Sequence, residues 1–350
     1  DRKSWERSSC HVQLAEINLF FIFIASIGFD LLIGDPRFII HPVQIIGIYI
    51  KQITNFFIHN FKKNKRILFW GGLFIALSTI ATSFVIGKII ELIFIQSKSN
   101  LIFGILIFLG LSSCLASKSL ISSVKEISSL INDNITDQKT EQIVKEKVQR
   151  IVSRDVSTAS LEHLLRSSSE SLTENSVDGI FGPLFWIFIG TVFIKFSIFL
   201  PGPLSLGFSY KAISTLDSMI GYKYDQYKYL GFFSAKIEDC STFLPSRLVL
   251  LTLPLVSSKI KKYNSVIKKS YSDGIKYDSP NSGISEAIFA YISNIKLGGE
   301  NKYNDEIIEK PIINSNGDIC SKEKINIICQ LILRLQILWI ITFTIIFFNI

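Results

Sequence analysis

The chain has 350 residues, 48% of them hydrophobic and 28 of them Phe, with a mean hydropathy of +0.37. This excludes an ordinary soluble domain, because ~20 mostly apolar residues cross the hydrocarbon of a bilayer and several stretches reach or approach that length. The formal charge of +8 is spread over the polar connections, so it reads as membrane topology and argues against nucleic-acid binding.

DRKSWERSSC offers no apolar stretch before Cys10, so neither a cleavable signal nor a lipoprotein leader is expected there. The first apolar run, 17–34, leads into FDLLIGDPRFIIHPVQIIG. An ionised carboxylate at the bilayer centre costs about 2.5–3.5 kcal/mol on insertion scales. A helix should therefore end near Gly34 and break at Pro36, leaving Asp35, Arg37 and His41 at the interface. Asp30 lies deeper and must face protein or water. The stretch 51–66 carries Lys51, Lys62, Lys63, Lys65 and Arg66 with no acid, which reads as a cytoplasmic loop. Runs 67–95, interrupted by Lys88 and Glu91, and 101–116 follow.

Residues 117–178 read as a soluble segment. In KTEQIVKEKVQRIVSRD, Ile143, Val144, Val148, Ile151 and Val152 have helical spacing. Further on, Arg166, Glu170, Glu174 and Asp178 recur every four residues, one slowly drifting stripe on a helix. On spacing alone this is a solvated charged face or a magnesium site, since hard oxygens suit that ion. Run 180–200 holds Lys195 and ends in PGPLSLG. SYKAISTLDSMIGYKYDQY then combines Lys211, Asp217 and several tyrosines: a membrane interface, or a ligand wall with Asp217 on a metal or amine and Lys211 on a phosphate.

Run 243–256 is short and contains Pro245, Arg247 and Pro254. An arginine there is costly unless paired, which marks Arg247 as a site residue or an ion-pair partner. The second soluble segment, 257–324, holds SPNSG and KLGGENKY, read as loops. Their Ser279, Asn281 and Gly298-Gly299 either cradle a phosphate or simply turn the chain. Run 325–350, with Arg334, closes the sequence. The five cysteines share no metal-ligand spacing and read as free thiols. There is no P-loop, dinucleotide fingerprint, nucleophile elbow or paired-His motif, and no haem, zinc or flavin signature. The expected fold is all-α: a polytopic helical membrane protein forming a single integral-membrane domain over 1–350, with helical and loop segments outside the bilayer.

The motifs DLLIGDPRFIIHPVQIIG, SRDVSTAS, ESLTENSVDGIFGPLFW, YKAISTLDSMIGY, EDCSTFLPSRL, SPNSGISEA and LGGENKY, in this order, resemble the adenosylcobinamide-phosphate synthases (CobD/CbiB type) of cobalamin biosynthesis. The resemblance runs from about residue 29 to 303. It implies a multi-pass enzyme of the bacterial inner membrane, working in the lipid bilayer beside other corrinoid-pathway membrane enzymes. The implied reaction joins the propionate carboxylate of adenosylcobyric acid to the amine of (R)-1-amino-2-propanol phosphate or a related amino alcohol, with ATP and magnesium.

By that analogy Glu170, Glu174 and Asp178 are assigned to metal, and Glu174, Asp217, Asp35 and His41 to catalysis. Arg154, Lys211, Arg247, Asn175, Ser279 and Asn281 are assigned to substrate and phosphate. The chain departs from the family pattern at Glu238-Asp239, Thr242, Ser246, Ser214 and Tyr277. Two other readings are a non-enzymatic regulatory relative, like the β-lactamase-induction membrane proteins, and a transporter, whose pathway intramembrane charges would mark. A single crossing by every run would put ESLTEN and TLDSM on opposite sides of the membrane. Run 180–200 is therefore expected to be re-entrant, or the two motifs to meet in a cavity.

Overall fold

The computed structural model describes the backbone of residues 2–34, 42–97, 100–131, 138–222, 227–303 and 306–350. The described helices are α1 (Arg2–Leu32), α2 (Pro42–Phe61), α3 (Lys65–Gln96), α4 (Leu101–Cys114), α5 (Ser117–Leu130), α6 (Gln138–Gln149) and α7 (Leu161–Ser176). They continue with α8 (Gly182–Phe196), α9 (Pro203–Ile220), α10 (Tyr227–Leu230), α11 (Phe232–Thr252), α12 (Tyr263–Gly274), α13 (Pro280–Ser293) and α14 (Lys322–Asn349). Strands β1 (Leu297–Tyr303) and β2 (Glu306–Ile313) form one antiparallel hairpin.

Among the described residues, 6 helical stretches are long and apolar enough to cross a membrane: Gln13–Leu32, Lys65–Gln96, Leu101–Leu130, Leu161–Phe196, Phe232–Val256 and Lys322–Asn349. The protein is a polytopic helical membrane protein. Helices meet that need because each satisfies its backbone polar groups internally.

The stretches outgrow the apolar runs where amphipathic sequence adds a further helix. Ile121, Val124 and Ile127 extend the third stretch through α5. A π turn, Val177–Phe181, joins α7 to α8 without a break. Pro183, which cannot donate to a carbonyl four residues back, follows immediately. Of the basic stretch 51–66, expected as a loop, 51–61 belong to α2 and 65–66 open α3, leaving only 62–64 as a turn. α2 turns Ile50 into a core with Leu68, Ile75 and Ala76 of α3, and Asn64 caps α3 by accepting Ile67 N–H (3.1 Å).

The chain forms two compact bodies, each taken by itself: 1–118 with 182–241, and 119–181 with 242–350. In the first, α9 packs against α2, α3, α4 and α8. It runs back along α8. A Cβ on Gly190 would strike Gly202 O, and one on Gly207 would meet Ile187, so the α9 end carrying Asp217 stands beside the Gly182 end of α8. The run is helical to Phe196 and the return is made by a second helix.

Two buried acids of this body cap helices other than their own. Glu91, fully buried on α3, accepts Leu204 N–H (2.5 Å), Ser205 N–H (3.1 Å) and the Ser205 hydroxyl (3.1 Å) at the start of α9. Lys88 donates to Ile198 O (2.7 Å) and Leu200 O (2.5 Å) in the same turn. Asp30, 1% exposed, accepts Ser117 N–H (3.0 Å) at the start of α5. Orphan amides and the positive end of the helix dipole favour a carboxylate at each place. The charges that interrupt spans in the sequence are thereby satisfied within the protein, and Asp30 faces protein.

In the second body α7 packs against α6, α13, α14 and β1. Its serine run lets other elements approach closely. Ser168 and Ser169 return their hydroxyls to Leu164 O and Leu165 O, while Ser285 on α13 donates to Thr173 O (3.0 Å).

Candidate functional site: a buried charge cluster on α7, α13 and the hairpin

The SRDVSTAS segment aims Arg154 inward. Asp155 N–H donates to Lys302 O (2.8 Å), which docks the segment on β1, and Ser160 caps α7 through His163 N–H (3.3 Å). Arg154, 4% exposed, donates from Nη1 to Glu170 Oε2 (2.5 Å) and to Asn301 Oδ1 (2.5 Å). Glu170 Oε1 accepts Gly298 N–H (2.8 Å).

That last bond depends on the two glycines. Gly298 and Gly299 have φ of +82° and +91°, and the pairing register shifts between Leu297 and Gly299. A Cβ on Gly298 would lie 2.1 Å from Pro311 O. KLGGENKY, expected as a loop, is therefore a bulged strand, and the Gly298 amide, one candidate for a phosphate cradle, is given to Glu170.

Arg166, one turn before Glu170, donates to Glu300 O (2.6 Å), with its Nε 3.8 Å from Glu170 Oε1. With Glu162, Lys296, Gly298, Ile319 and Cys320 it lines a small cavity of about 100 Å³. Burial pushes the Cys320 thiol up to about 11.

Across the cluster, Glu286 on α13 is fully buried, and neither carboxyl oxygen has a hydrogen-bond partner among the described residues. Lys310 Nζ stands 3.9 Å from Glu286 Oε1 and 5.3 Å from the centre of the Tyr277 ring. The Tyr277 hydroxyl is likewise buried without a partner among the described residues. Burial pushes the Glu286 carboxyl well above the usual carboxylate range; Lys310 opposes this, and the charges of Glu174 and Glu170 add to it. For Lys310, burial alone would lower the ammonium, but Glu286, Glu174 and Glu170 together hold it above its ordinary value. Burial, then Glu286, raises the Tyr277 phenol. Glu174 is half-buried beside these groups.

The remaining sequence-assigned residues fall as follows. Arg247 donates to Ser246 Oγ (2.9 Å), Phe243 O (3.2 Å) and Asn281 Oδ1, and lies 4.0 Å over the Phe243 ring. Asn281 passes its amide to Thr242 Oγ1 (2.8 Å). Ser279 stands at the start of α13 before Pro280. Asn175 is tied back to Ser171 of its own helix (2.8 and 3.0 Å). Lys211 and Asp217 are half-buried on α9, in the other body. Asp35 and His41 lie outside the described residues.

The three-carboxylate magnesium set does not assemble. Among the described residues no group of three or more His, Cys, Asp or Glu is placed to hold a metal ion. Glu170 has given its oxygens to Arg154 and Gly298, and Asp178 sits in the π turn, where four-residue spacing no longer keeps side chains on one face. Arg154, assigned to a phosphate, is likewise committed to Glu170 and Asn301.

Sequence reasoning passed over Glu286 and Lys310. The available signal was a single acid in the otherwise apolar helical run GISEAIFAYIS, where an unpaired carboxylate is not left without a reason.

Several known proteins are similar to this chain. The cobalamin biosynthesis protein CobD of Synechocystis sp. is 37% identical over 286 residues, covering 81% of this chain and 79% of that protein. The CobD of Clostridium acetobutylicum is 34% identical over 92% of this chain and 96% of its own length, and that of Streptococcus sanguinis 31% identical over 94% and 97%. No solved structure matches. The model of the CobD/Cbib protein family covers residues 23–332, nearly the whole helical assembly, and the chain belongs to that family.

Proposed function

We propose that the protein forms the amide bond between the propionate carboxylate of adenosylcobyric acid and (R)-1-amino-2-propanol phosphate, or a related amino alcohol, giving adenosylcobinamide phosphate. The coarser part, a role in cobalamin biosynthesis, comes with family membership. The observation that supports the finer part is the cluster in which Lys310 stands 3.9 Å from the buried Glu286, with half-buried Glu174 and the Arg154–Glu170 pair among the charges acting on it. Joining a carboxylate to an ammonium requires groups that hold anions and groups that take up a proton, in a site shielded from water.

A carboxylate must also be activated, most simply as an acyl phosphate, and the resemblance supplies ATP and magnesium for this. Magnesium usually keeps one or two carboxylates and otherwise binds substrate phosphates. It would enter with the nucleotide, with Glu174 the half-buried carboxylate on offer, and not through a trio of protein acids. The transporter reading loses part of its support, because of the span charges Glu91 accepts the first amides of α9 and Lys88 donates to carbonyls of the turn before it. We place the protein in the bacterial inner membrane, alongside other corrinoid-pathway enzymes.

The test supplies membranes containing the protein with adenosylcobyric acid, aminopropanol phosphate and ATP-magnesium. Amide product that vanishes on chelation and falls at least about 100-fold in Glu174→Ala is expected. Absence of amide from the unaltered protein would sink the reading.

A further inference from the structure

Carboxylates buried in proteins are paired, and Asp30, Glu91 and Glu170 are each supplied with backbone or guanidinium donors. Glu286 differs from them: it is fully buried with Lys310 as its ion-pair partner at 3.9 Å, yet among the described residues neither oxygen has a hydrogen bond, and the Tyr277 hydroxyl is in the same condition. Sites of this kind persist where a ligand completes them.

The chemistry of the missing partner can be read from the surroundings. It must donate hydrogen bonds, since Glu286 offers acceptors. A divalent cation fits poorly: Lys310 stands 3.9 Å away, and among the described residues no group of three or more His, Cys, Asp or Glu is placed to hold a metal ion. A primary ammonium fits better, with three N–H donors and a single charge. Lys310 also makes that charge easier to lose, because one cation beside another favours the neutral amine. Lys310 keeps 23% of its side chain exposed and Glu174 is half-buried, so solvent reaches the cluster from their side.

We propose that Glu286 receives the amino group of the substrate and removes its proton, with Tyr277 and Lys310 flanking it. This rests on the amide-forming reading above. One ammonium N–H bond breaks, its electron pair stays on nitrogen, and the proton goes to a Glu286 carboxyl oxygen. The nitrogen then attacks the carbonyl of the acyl phosphate made from the corrinoid carboxylate and ATP. The C–N bond forms, the C–O bond to phosphate breaks, and phosphate leaves with the second nitrogen proton. Glu286 afterwards returns its proton to water. The charges acting on Glu286 are Lys310 from β2, Glu170 and Glu174 from α7, and Arg154, with Tyr277 the nearby titratable phenol. A carboxyl held above its ordinary range is a better match to an ammonium than an ordinary carboxylate is.

The experiment compares two nucleophiles on the full-length protein in membranes. Aminopropanol phosphate arrives as an ammonium and needs a base, whereas hydroxylamine is neutral at pH 7 and traps the activated carboxyl as a hydroxamate. Glu286→Gln should lower amide turnover by about 100-fold or more while hydroxamate formation stays within about threefold. The amide deficit should shrink as pH rises and more amine arrives deprotonated. Glu286→Asp, whose carboxylate is set back, should lower the amide rate about tenfold and spare the hydroxamate; it decides the matter if the Gln variant does not accumulate. Equal loss of both products, or amide turnover within threefold of the unaltered protein, would overturn the assignment. An unaltered protein that makes no amide condemns the reaction itself and not Glu286 alone.

Discussion

At the scale of single residues, the deciding contrast among the described residues is between buried carboxylates that accept hydrogen bonds and Glu286, which has only the Lys310 ammonium at 3.9 Å. Glu170 is tied by Arg154 and by Gly298 N–H, with Asn301 holding the guanidinium from the other side. Arg154→Ala leaves that carboxylate buried without its cation, so it should destabilise the protein by about 3–5 kcal/mol. Replacing Arg154 and Glu170 together by methionine should recover most of that loss, because the desolvation cost goes with the charges. Thermal unfolding of the detergent-solubilised protein reads both. A single Arg154→Ala variant as stable as the parent would mean the pair is not structural. In the sequence Arg154 and Glu170 looked like a phosphate ligand and a metal ligand. Residue type and spacing cannot show that one of them has spent its charge on the other.

At the scale of elements, the hairpin and α7 show what a motif can conceal. Two consecutive glycines usually mark a turn, and in LGGENKY they suggest a loop. The positive φ values are real, but they serve a bulge in β1 and not a loop. Gly298→Ala should therefore cost about 1–3 kcal/mol through strain and loss of the bond to Glu170, seen as a lower melting temperature. Gly299 is more forgiving of space, since an added Cβ there would meet only Arg166 Nη1 at 3.1 Å. A Gly298→Ala protein that melts with the parent would remove the bulge from the explanation. The helical runs were legible because each is longer and more apolar than any soluble core element needs. The extension of two of them through α5 and α7 was not. Serine-rich sequence looks like solvent-facing chain until neighbouring elements bury it.

At the scale of the whole molecule, membrane residence follows from faces as much as from lengths. On α14, Ile337, Ile341 and Ile345 recur every four residues and are about half exposed, while Trp339, Phe343 and Phe347 turn inward. The exposed row is suited to lipid. Ile341→Asp should disfavour insertion by about 3 kcal/mol and shrink the alkali-resistant membrane fraction, whereas Ile341→Val should leave it unchanged. An Asp variant retained as fully as the parent would place that face against something other than lipid. The family and the span pattern were readable from the sequence, because both rest on residues in order along the chain. The charge cluster was not, because its members lie up to 156 residues apart, from Arg154 to Lys310, and only folding adds them up.

The trans-capping by Glu91 also orders events in time. The carboxylate is made 113 residues before Leu204, whose amide it accepts. During synthesis α3 must enter the membrane carrying a promise that α9 has yet to keep. Until α9 is made, Glu91 has only Lys88, one turn away on its own helix at 3.9 Å, to offset its charge.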